Sequence, residues 1–237
     1  MDKPLVSAII AVKNGERFLA SAIESILQQS YRPLELIVVD QQSADGTADI
    51  ARSYEAVRYV WQAGQGVARA WNLGIDTAVG EFLAFLAHDD KWTPDKLSAQ
   101  MTHMLAHPEV DYTIARASFV LEPGCPIPSG FRKALLTGDH VCRTMETLVA
   151  RKVLFDRIGK LDPSFHVSED IEWFARTNDH GVPYAVIHKM LLIVRIHGSN
   201  MSLNAPAAGR SLLLKALRQS VERKRTQGRG GLCPPQS

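Results

Sequence analysis

The sequence predicts an α/β protein built on a doubly wound, mostly parallel sheet, and three observations carry that prediction. Apolar runs of strand length near residues 6–12, 34–40, 57–61 and 80–87 alternate with stretches of helical period, the order expected of βαβ units. The first, second and fourth runs are apolar at nearly every position, the pattern of strands covered by helices on both faces. The second and fourth stop at acids, Asp40 and the adjacent Asp89 and Asp90, at the carboxyl ends where open α/β sheets receive ligands.

Taken in order, residues 6–12 form the first strand, Lys13-Asn14-Gly15 a turn, and residues 16–29 a helix with Leu19, Ala22, Ile23 and Ile26 at helical spacing. Tyr31-Arg32-Pro33 breaks that helix before the strand ending in Asp40. Gln41 through Thr47 carry loop and cap chemistry, a short helix runs to about Tyr54, and residues 57–61 make the third strand. Gly64-Gln65-Gly66 opens a helix through Ala78, after which Leu83, Ala84, Phe85 and Leu86 deliver Asp89 and Asp90 to the rim. Thr93-Pro94-Asp95 predicts an N-cap, a proline at the first helical position and a first-turn acid, so a helix starts just beyond the carboxylates.

Past Pro108 the pattern changes. Residues 110–121 read as a strand, 122–130 as a long irregular connection, 146–150 as a strand entering a helix over 151–158, and 159–165 as turns. Ser168-Glu169-Asp170 then predicts a capped helix with Ile171, Phe174 and Ala175 facing inward, closed by Gly181 and Pro183. Residues 184–188 and 191–196 are the last strands, leading into Arg195-Ile196-His197-Gly198-Ser199-Asn200-Met201-Ser202.

Composition narrows the function. A hydrophobic fraction of 46% over 237 residues supplies a core, yet no apolar run approaches the ~20 residues of a membrane span. Residues 5–12 are too short for a secretory signal, and Cys125, Cys142 and Cys233 form no Cys-x-x-Cys pattern, so a cytoplasmic, reducing location is expected. Net charge is +2, but residues 210–229 hold seven Lys or Arg against Glu222, which leaves the remainder at −4. A basic excess confined to one terminal segment argues against a nucleic-acid protein. Leu213, Leu214, Leu217 and Val221 fall near one helical stripe of that segment, with Lys215, Arg218, Arg223, Lys224 and Arg225 around them. Two readings fit it: a peripheral contact at the inner face of an anionic membrane, or a terminal helix packed on its own domain and followed by a frayed Gly-Pro-rich end. The Gly64-to-Arg69 stretch lacks the third glycine of a dinucleotide fingerprint and follows the third strand, and Gly15 alone is too sparse for a P-loop.

Val6-Ser7-Ala8-Ile9-Ile10-Ala11-Val12-Lys13-Asn14-Gly15-Glu16, the 36–40 strand with Ser43-Ala44-Asp45-Gly46-Thr47, and Asp89-Asp90-Lys91-Trp92 together resemble family 2 glycosyltransferases of the GT-A fold. Ser168 through Trp173 looks like that family's acidic motif, and Arg195-Ile196-His197 with Asn200 like its closing strand, so the likeness spans residues 4–203. The resemblance implies residues 1–104 as a nucleotide-sugar donor half, 105–203 as an acceptor-side half of the same GT-A domain, and 204–237 as a basic helical tail. It implies inverting transfer from a nucleoside diphosphate sugar, most often a UDP-sugar, to an acceptor hydroxyl on a glycan, a lipid-linked carrier, a peptide or a small molecule. By similarity Asp170 is the general base with Glu169 the alternative, Asp40 meets the nucleobase, Ala11 and Asn14 line the nucleotide site, and Asp89, Asp90 and His197 hold Mn2+ or Mg2+.

The departures are specific. The family's Asp-x-Asp begins here with Ala87 followed by His88, and adjacent extended residues point to opposite sides, so His88 does not inherit the place of Ala87. Lys13 stands where a tyrosine often stacks on the base, Gln41 where a second aspartate often follows Asp40, and Trp71 where an arginine often precedes the asparagine. Lys13 and Arg69 are candidates to bring positive charge to the diphosphate in place of a firmly held metal. An active transferase is the first expectation. A catalytically impaired nucleotide-binding protein of the same fold is the alternative, and a nucleotidyltransferase ranks third because it wants a glycine-rich basic loop after the first strand.

Overall fold

The structure is a computed structural model that describes residues 3–129, 131–165, 168–200 and 206–229. Strands β1 (Val6–Val12), β2 (Leu34–Asp40) and β3 (Val57–Trp61) coincide with the expected runs. Helices α1 (Leu19–Leu27), α2 (Thr47–Ser53) and α3 (Val67–Thr77) alternate with them and lead to β4 (Phe82–Ala87). The chain continues through β5 (Lys91–Trp92), α4 (Lys96–Ala106), β6 (Tyr112–Leu121), β7 (His140–Val141), β8 (Val149–Arg151), α5 (Val153–Ile158), α6 (Glu169–Asp179), β9 (Tyr184–Ile196) and α7 (Pro206–Arg229).

One nine-stranded sheet runs in the order β3-β2-β1-β4-β8-β6-β9-β5, with β7 on β6. β3, β2, β1 and β4 are parallel, whereas β8 joins β4 antiparallel and ties the two ends of the chain into one sheet. The order switches at β1, which has β2 on one side and β4 on the other, and such a switch opens a crevice beyond the strand ends. Strand residues alternate between two buried layers. Val6, Ala8, Ile10 and Val12 of β1 with Phe82, Ala84 and Leu86 of β4 pack toward α1 and α4. Ile9, Ala11, Leu83 and Phe85 pack on the other face against α3, α5 and α6. Each fully buried Leu, Ile or Phe stabilises the fold by ~1.5–3 kcal/mol, so this double layer is what holds the crevice walls in place.

Several boundaries differ from expectation for local reasons. α1 begins at Leu19 because the carbonyl of Gly15 accepts from the amides of Phe18 and Leu19, forming a turn first. α4 begins at Lys96, so Pro94 precedes it, and the Thr93 hydroxyl donates to the Asp95 carboxylate at 2.9 Å instead of capping a backbone amide. Residues 145–147 are a 3-10 turn, so the strand predicted over 146–150 shortens to β8. Ile171 is 41% exposed; the inward face of α6 is Glu169, Glu172, Trp173, Phe174 and Thr177, because Trp173 stacks on Phe155 at 4.9 Å. Ser168 takes a left-handed φ of 66° and makes no side-chain cap. The two closing strands are one, β9, with a register shift against β6 near Arg116.

α7 packs on the body of the protein through Leu212 and Ala216, which bury Phe165, and through Arg223, which reaches Asp179 at 2.9 Å. Leu213, Leu214, Leu217 and Val221 are 41–56% exposed. Cys125 and Cys142 are free thiols, while Met201, Ser202, Cys233 and the Gly-Pro-rich end lie outside the described residues.

Candidate functional site

Three loops meet at the carboxyl ends of β1, β2 and β4. The β1 turn places Asn14 at φ 50°, its amide donating to Ser43 Oγ at 2.8 Å and its Oδ1 accepting from the Ala44 amide at 3.0 Å. The Gly15 amide donates to Thr47 Oγ1 at 2.8 Å, so the 43–47 loop is sewn to the β1 turn. A Cβ on Gly15 would stand 2.4 Å from Val12 Cγ2 and 2.8 Å from His88 Cδ2, which explains the glycine. Ala11 is buried and its backbone bonds the His88 ring, while burial pushes the imidazole of His88 down toward neutrality.

Asp40 is 1% exposed. Its Oδ2 accepts from Tyr59 OH at 2.8 Å and its Oδ1 from the Ser43 amide at 2.9 Å, so it organises the loop after β2 rather than standing open at the rim. Lys13 is half-buried in the turn. Arg69 is exposed and folds its side chain back over the Gly64–Gly66 loop; neither makes an ion pair among the described residues.

At the β4 rim the antiparallel pairing of Lys91 with Ile193 sets the residues before β5 beside those after β9. Asp89 Oδ2 lies 3.0 Å from His197 Nε2 and accepts from Asn200 Nδ2 at 3.1 Å. Asn200 also donates to the Arg195 carbonyl at 3.0 Å and accepts from the His197 amide at 2.6 Å, clamping the turn that carries the imidazole. Phe18 lies under His197 with ring centroids 4.8 Å apart, and His197 Nδ1 is 2.8 Å from Ser199 Oγ. Asp90 departs from the expected metal set: it is buried, its Oδ1 accepts from the Arg195 amide at 3.0 Å, and burial with the nearby Asp89 pushes its carboxyl well up. Adjacent residues in a turn diverge, and Asp90 is the one that turns into the protein.

Whether the remaining donors suit a divalent cation is a question of their chemistry. Two adjacent ligands of an octahedral cation, each ~2.1 Å from it, stand about 3.0 Å apart. Asp89 Oδ2 and His197 Nε2 are 3.0 Å apart, the separation of a carboxylate–imidazole hydrogen bond and one that two positions of such a shell would also accept. Among the described residues no group of three or more His, Cys, Asp or Glu gathers.

The first turn of α6 brings Glu169 and Asp170 toward this rim. Burial, with the charge of Asp170, pushes Glu169 up to about 8, and the Trp71 side chain hydrogen-bonds its carboxylate. Burial pushes Asp170 up to about 6, held back by backbone amides, with the Ile171 amide donating to Oδ1 at 2.7 Å. A third acid, Glu146, which no motif marks in the sequence, sits on the 3-10 turn that packs beside β4. Burial raises it to about 7, with further contributions from Asp170 and Asp89. The available signal was an acid one residue ahead of the short apolar run 148–150, close to the Asp40 pattern in reverse. Beneath that turn the fully buried Lys96 donates to Gln100 Oε1 at 2.8 Å, and Gln100 donates to the Thr147 carbonyl at 2.9 Å, which fixes the turn's depth.

Comparison with known proteins gives the family and the fold. Residues 7–124 match the model of the glycosyl transferase family 2. A Bacillus subtilis protein named as a teichuronic acid biosynthesis glycosyltransferase, TuaG, is 35% identical over 210 residues, covering 85% of this chain and 83% of its own. An uncharacterized glycosyltransferase of Rickettsia typhi is 29% identical over 221 residues, covering 85% of this chain and 68% of its own. Crystal structures of S. aureus TarS 1-349 with UDP-GlcNAc and with UDP superpose with TM-scores of 0.75 and 0.71, at 18% and 17% identity, over 92% and 91% of this chain. This chain spans 66% and 65% of those two solved chains. The fold is that of the GT-A transferases, and the chain belongs to glycosyltransferase family 2.

Proposed function

We propose that this enzyme moves a glycosyl group from a nucleoside diphosphate sugar to an acceptor hydroxyl by direct displacement with inversion. The observation that supports the reading is the family membership of the chain together with the acids at the sheet's carboxyl edge, Asp89 held 3.0 Å from His197 and Glu169 and Asp170 on the first turn of α6. UDP is the nucleotide favoured, since the superposed S. aureus structures carry UDP and UDP-GlcNAc.

In this reading the nucleotide lies across the β1 and β2 ends, over Ala11 and Asp40 and beside Asn14, with Lys13 and Arg69 directed to the diphosphate. Asp89 and His197 would hold Mn2+ or Mg2+, and the cation when bound offsets the charge that grows on the leaving diphosphate. Asp170 is the better base of the acidic pair. A group ionising near 6 is mostly a carboxylate at neutral pH, whereas Glu169, near 8, mostly keeps its proton. Asp170 Oδ1 accepts the Ile171 amide, leaving Oδ2 to take the acceptor proton. The acceptor oxygen then bonds the anomeric carbon while the bond to the diphosphate oxygen breaks, and its electron pair leaves with the diphosphate.

The test is release of UDP from a panel of UDP-sugars, with water as the default acceptor. Asp170→Asn is expected to lower turnover ~10²–10⁴-fold while UDP binding persists. Loss in Glu169→Gln with Asp170→Asn active would move the base to Glu169. Binding of UDP with no turnover of any sugar would favour the catalytically impaired alternative.

A further inference from the structure

We propose that α7 is a docking helix for an anionic lipid surface. Between residues 211 and 225 the chain carries five Lys or Arg and the single acid Glu222. The helix divides them by face. Leu212 and Ala216 are buried on Phe165, Lys215 donates to Ser164 Oγ at 2.7 Å, and Ser220 and Arg223 bond Asp179 at 2.7 and 2.9 Å, so this side is fully engaged with the protein. The opposite side presents Leu213, Leu214, Leu217 and Val221 at 41%, 56%, 54% and 50% exposure, and none of them joins a buried apolar cluster among the described residues. At 100° per residue these four cover an arc of about 100°. Arg225 and Arg218 lie just beyond one edge and are exposed, whereas Lys224, which falls within the arc, turns its ammonium back to Asp179 Oδ1 at 3.5 Å.

An apolar arc bordered by cations is the pattern of a helix lying in a membrane interface, where leucines enter the acyl boundary and basic side chains meet lipid phosphates. Charge decides the occupant. A second copy of α7 laid on the same face would set Arg218 and Arg225 against their own counterparts, and like-charge juxtaposition opposes that pairing. An anionic lipid surface is complementary to the same two groups. Because α7 packs on α6, this docking would hold the helix that bears Asp170 one layer from the bilayer. Docking itself does not depend on the donor-site reading.

The test is co-sedimentation of the full chain with vesicles of phosphatidylcholine alone and of phosphatidylcholine mixed with phosphatidylglycerol, at low and high salt, alongside sedimentation velocity without lipid. Binding is expected only to the anionic vesicles and is expected to weaken with salt. The double variant Arg218→Gln, Arg225→Gln should lose affinity about 25-fold, at roughly fivefold per cation. Leu214→Gln with Leu217→Gln should lose at least about tenfold with charge unchanged. These side chains are exposed, so thermal midpoints equal to wild type are expected to accompany both losses. No vesicle binding by the wild type overturns the proposal, as does binding that the leucine variant retains in full. A lipid-free dimer that the leucine variant dissolves, without vesicle binding, would assign the face to a second copy.

Discussion

Asp89 and His197 are 108 positions apart in sequence, and their facing Oδ2 and Nε2 atoms are 3.0 Å apart. Their meeting depends on β5 pairing with β9, and it is held by one amide: Asn200 donates to Asp89, accepts from the His197 backbone and donates to the Arg195 carbonyl. The rim of β4 and the turn after β9 therefore act as one unit, and the consequences can be measured.

Asn200→Ala removes the clamp while leaving both proposed metal ligands. Its expected effect is a Mn2+ affinity for the UDP complex weakened ~10–100-fold, the range seen when groups orienting metal ligands are removed. Titration calorimetry at saturating UDP checks it. An unchanged affinity would mean that Asp89 and His197 orient themselves.

Turnover should depend on pH through Asp170. A base must be ionised to accept a proton, so the rate is expected to fall as pH drops through about 6. The ascending limb is read from the initial rate of UDP release at saturating donor, and Glu169→Gln should leave it in place, because Glu169, ionising near 8, is already uncharged where Asp170 titrates.

Stability carries the opposite signature in the same cluster. Glu169 ionises near 8 in the fold against ~4.3 in an unfolded chain, so the folded state holds the proton more tightly. That contribution is fully present below ~4.3 and is lost as pH rises through about 8. Glu169→Gln keeps an acceptor for Trp71 and removes the titration. The fall in melting temperature between about pH 5.5 and about pH 8.5 should shrink in the variant by on the order of 5 °C. Equal falls in the two proteins would assign the pH dependence to other groups.

Gly15→Ala places a methyl against Val12 Cγ2 and His88 Cδ2. Crowding of this kind costs ~1–3 kcal/mol, which at this length lowers the melting temperature by roughly 2–12 °C. Because the same turn carries Lys13 and Asn14 and is sewn to Thr47, UDP affinity should fall with it.

β1, β2 and β3 were legible to the residue because each is a run of strand length bounded by Gly, Pro or turn residues. Helix starts were less legible, since Gly15 and Thr93 first build turns whose hydrogen bonds no period announces. The α6 face was misread at Ile171 because apolarity alone ranked it inward, whereas the aromatic stack of Trp173 and Phe155 sets the rotation. Which of two adjacent acids faces the site is invisible in Asp89-Asp90. Only the backbone amide of Arg195, delivered by β9, draws Asp90 inward. Glu146 escaped for a related reason: a 3-10 turn has no apolar repeat to mark it, and its charge matters only once β8 has joined β4.

Titration calorimetry of UDP in the presence and absence of Mn2+, on wild type, Asp89→Ala and Asp170→Asn, tests the central claim most directly. Mn2+-dependent binding is expected in the wild type, its loss in Asp89→Ala, and its retention in Asp170→Asn, whose turnover is nonetheless lowered ~10²–10⁴-fold. Mn2+-independent binding that persists in Asp89→Ala would move the diphosphate to Lys13 and Arg69 and contradict the proposed metal pair. If the wild type binds no nucleoside diphosphate under any condition, the donor site itself is misassigned.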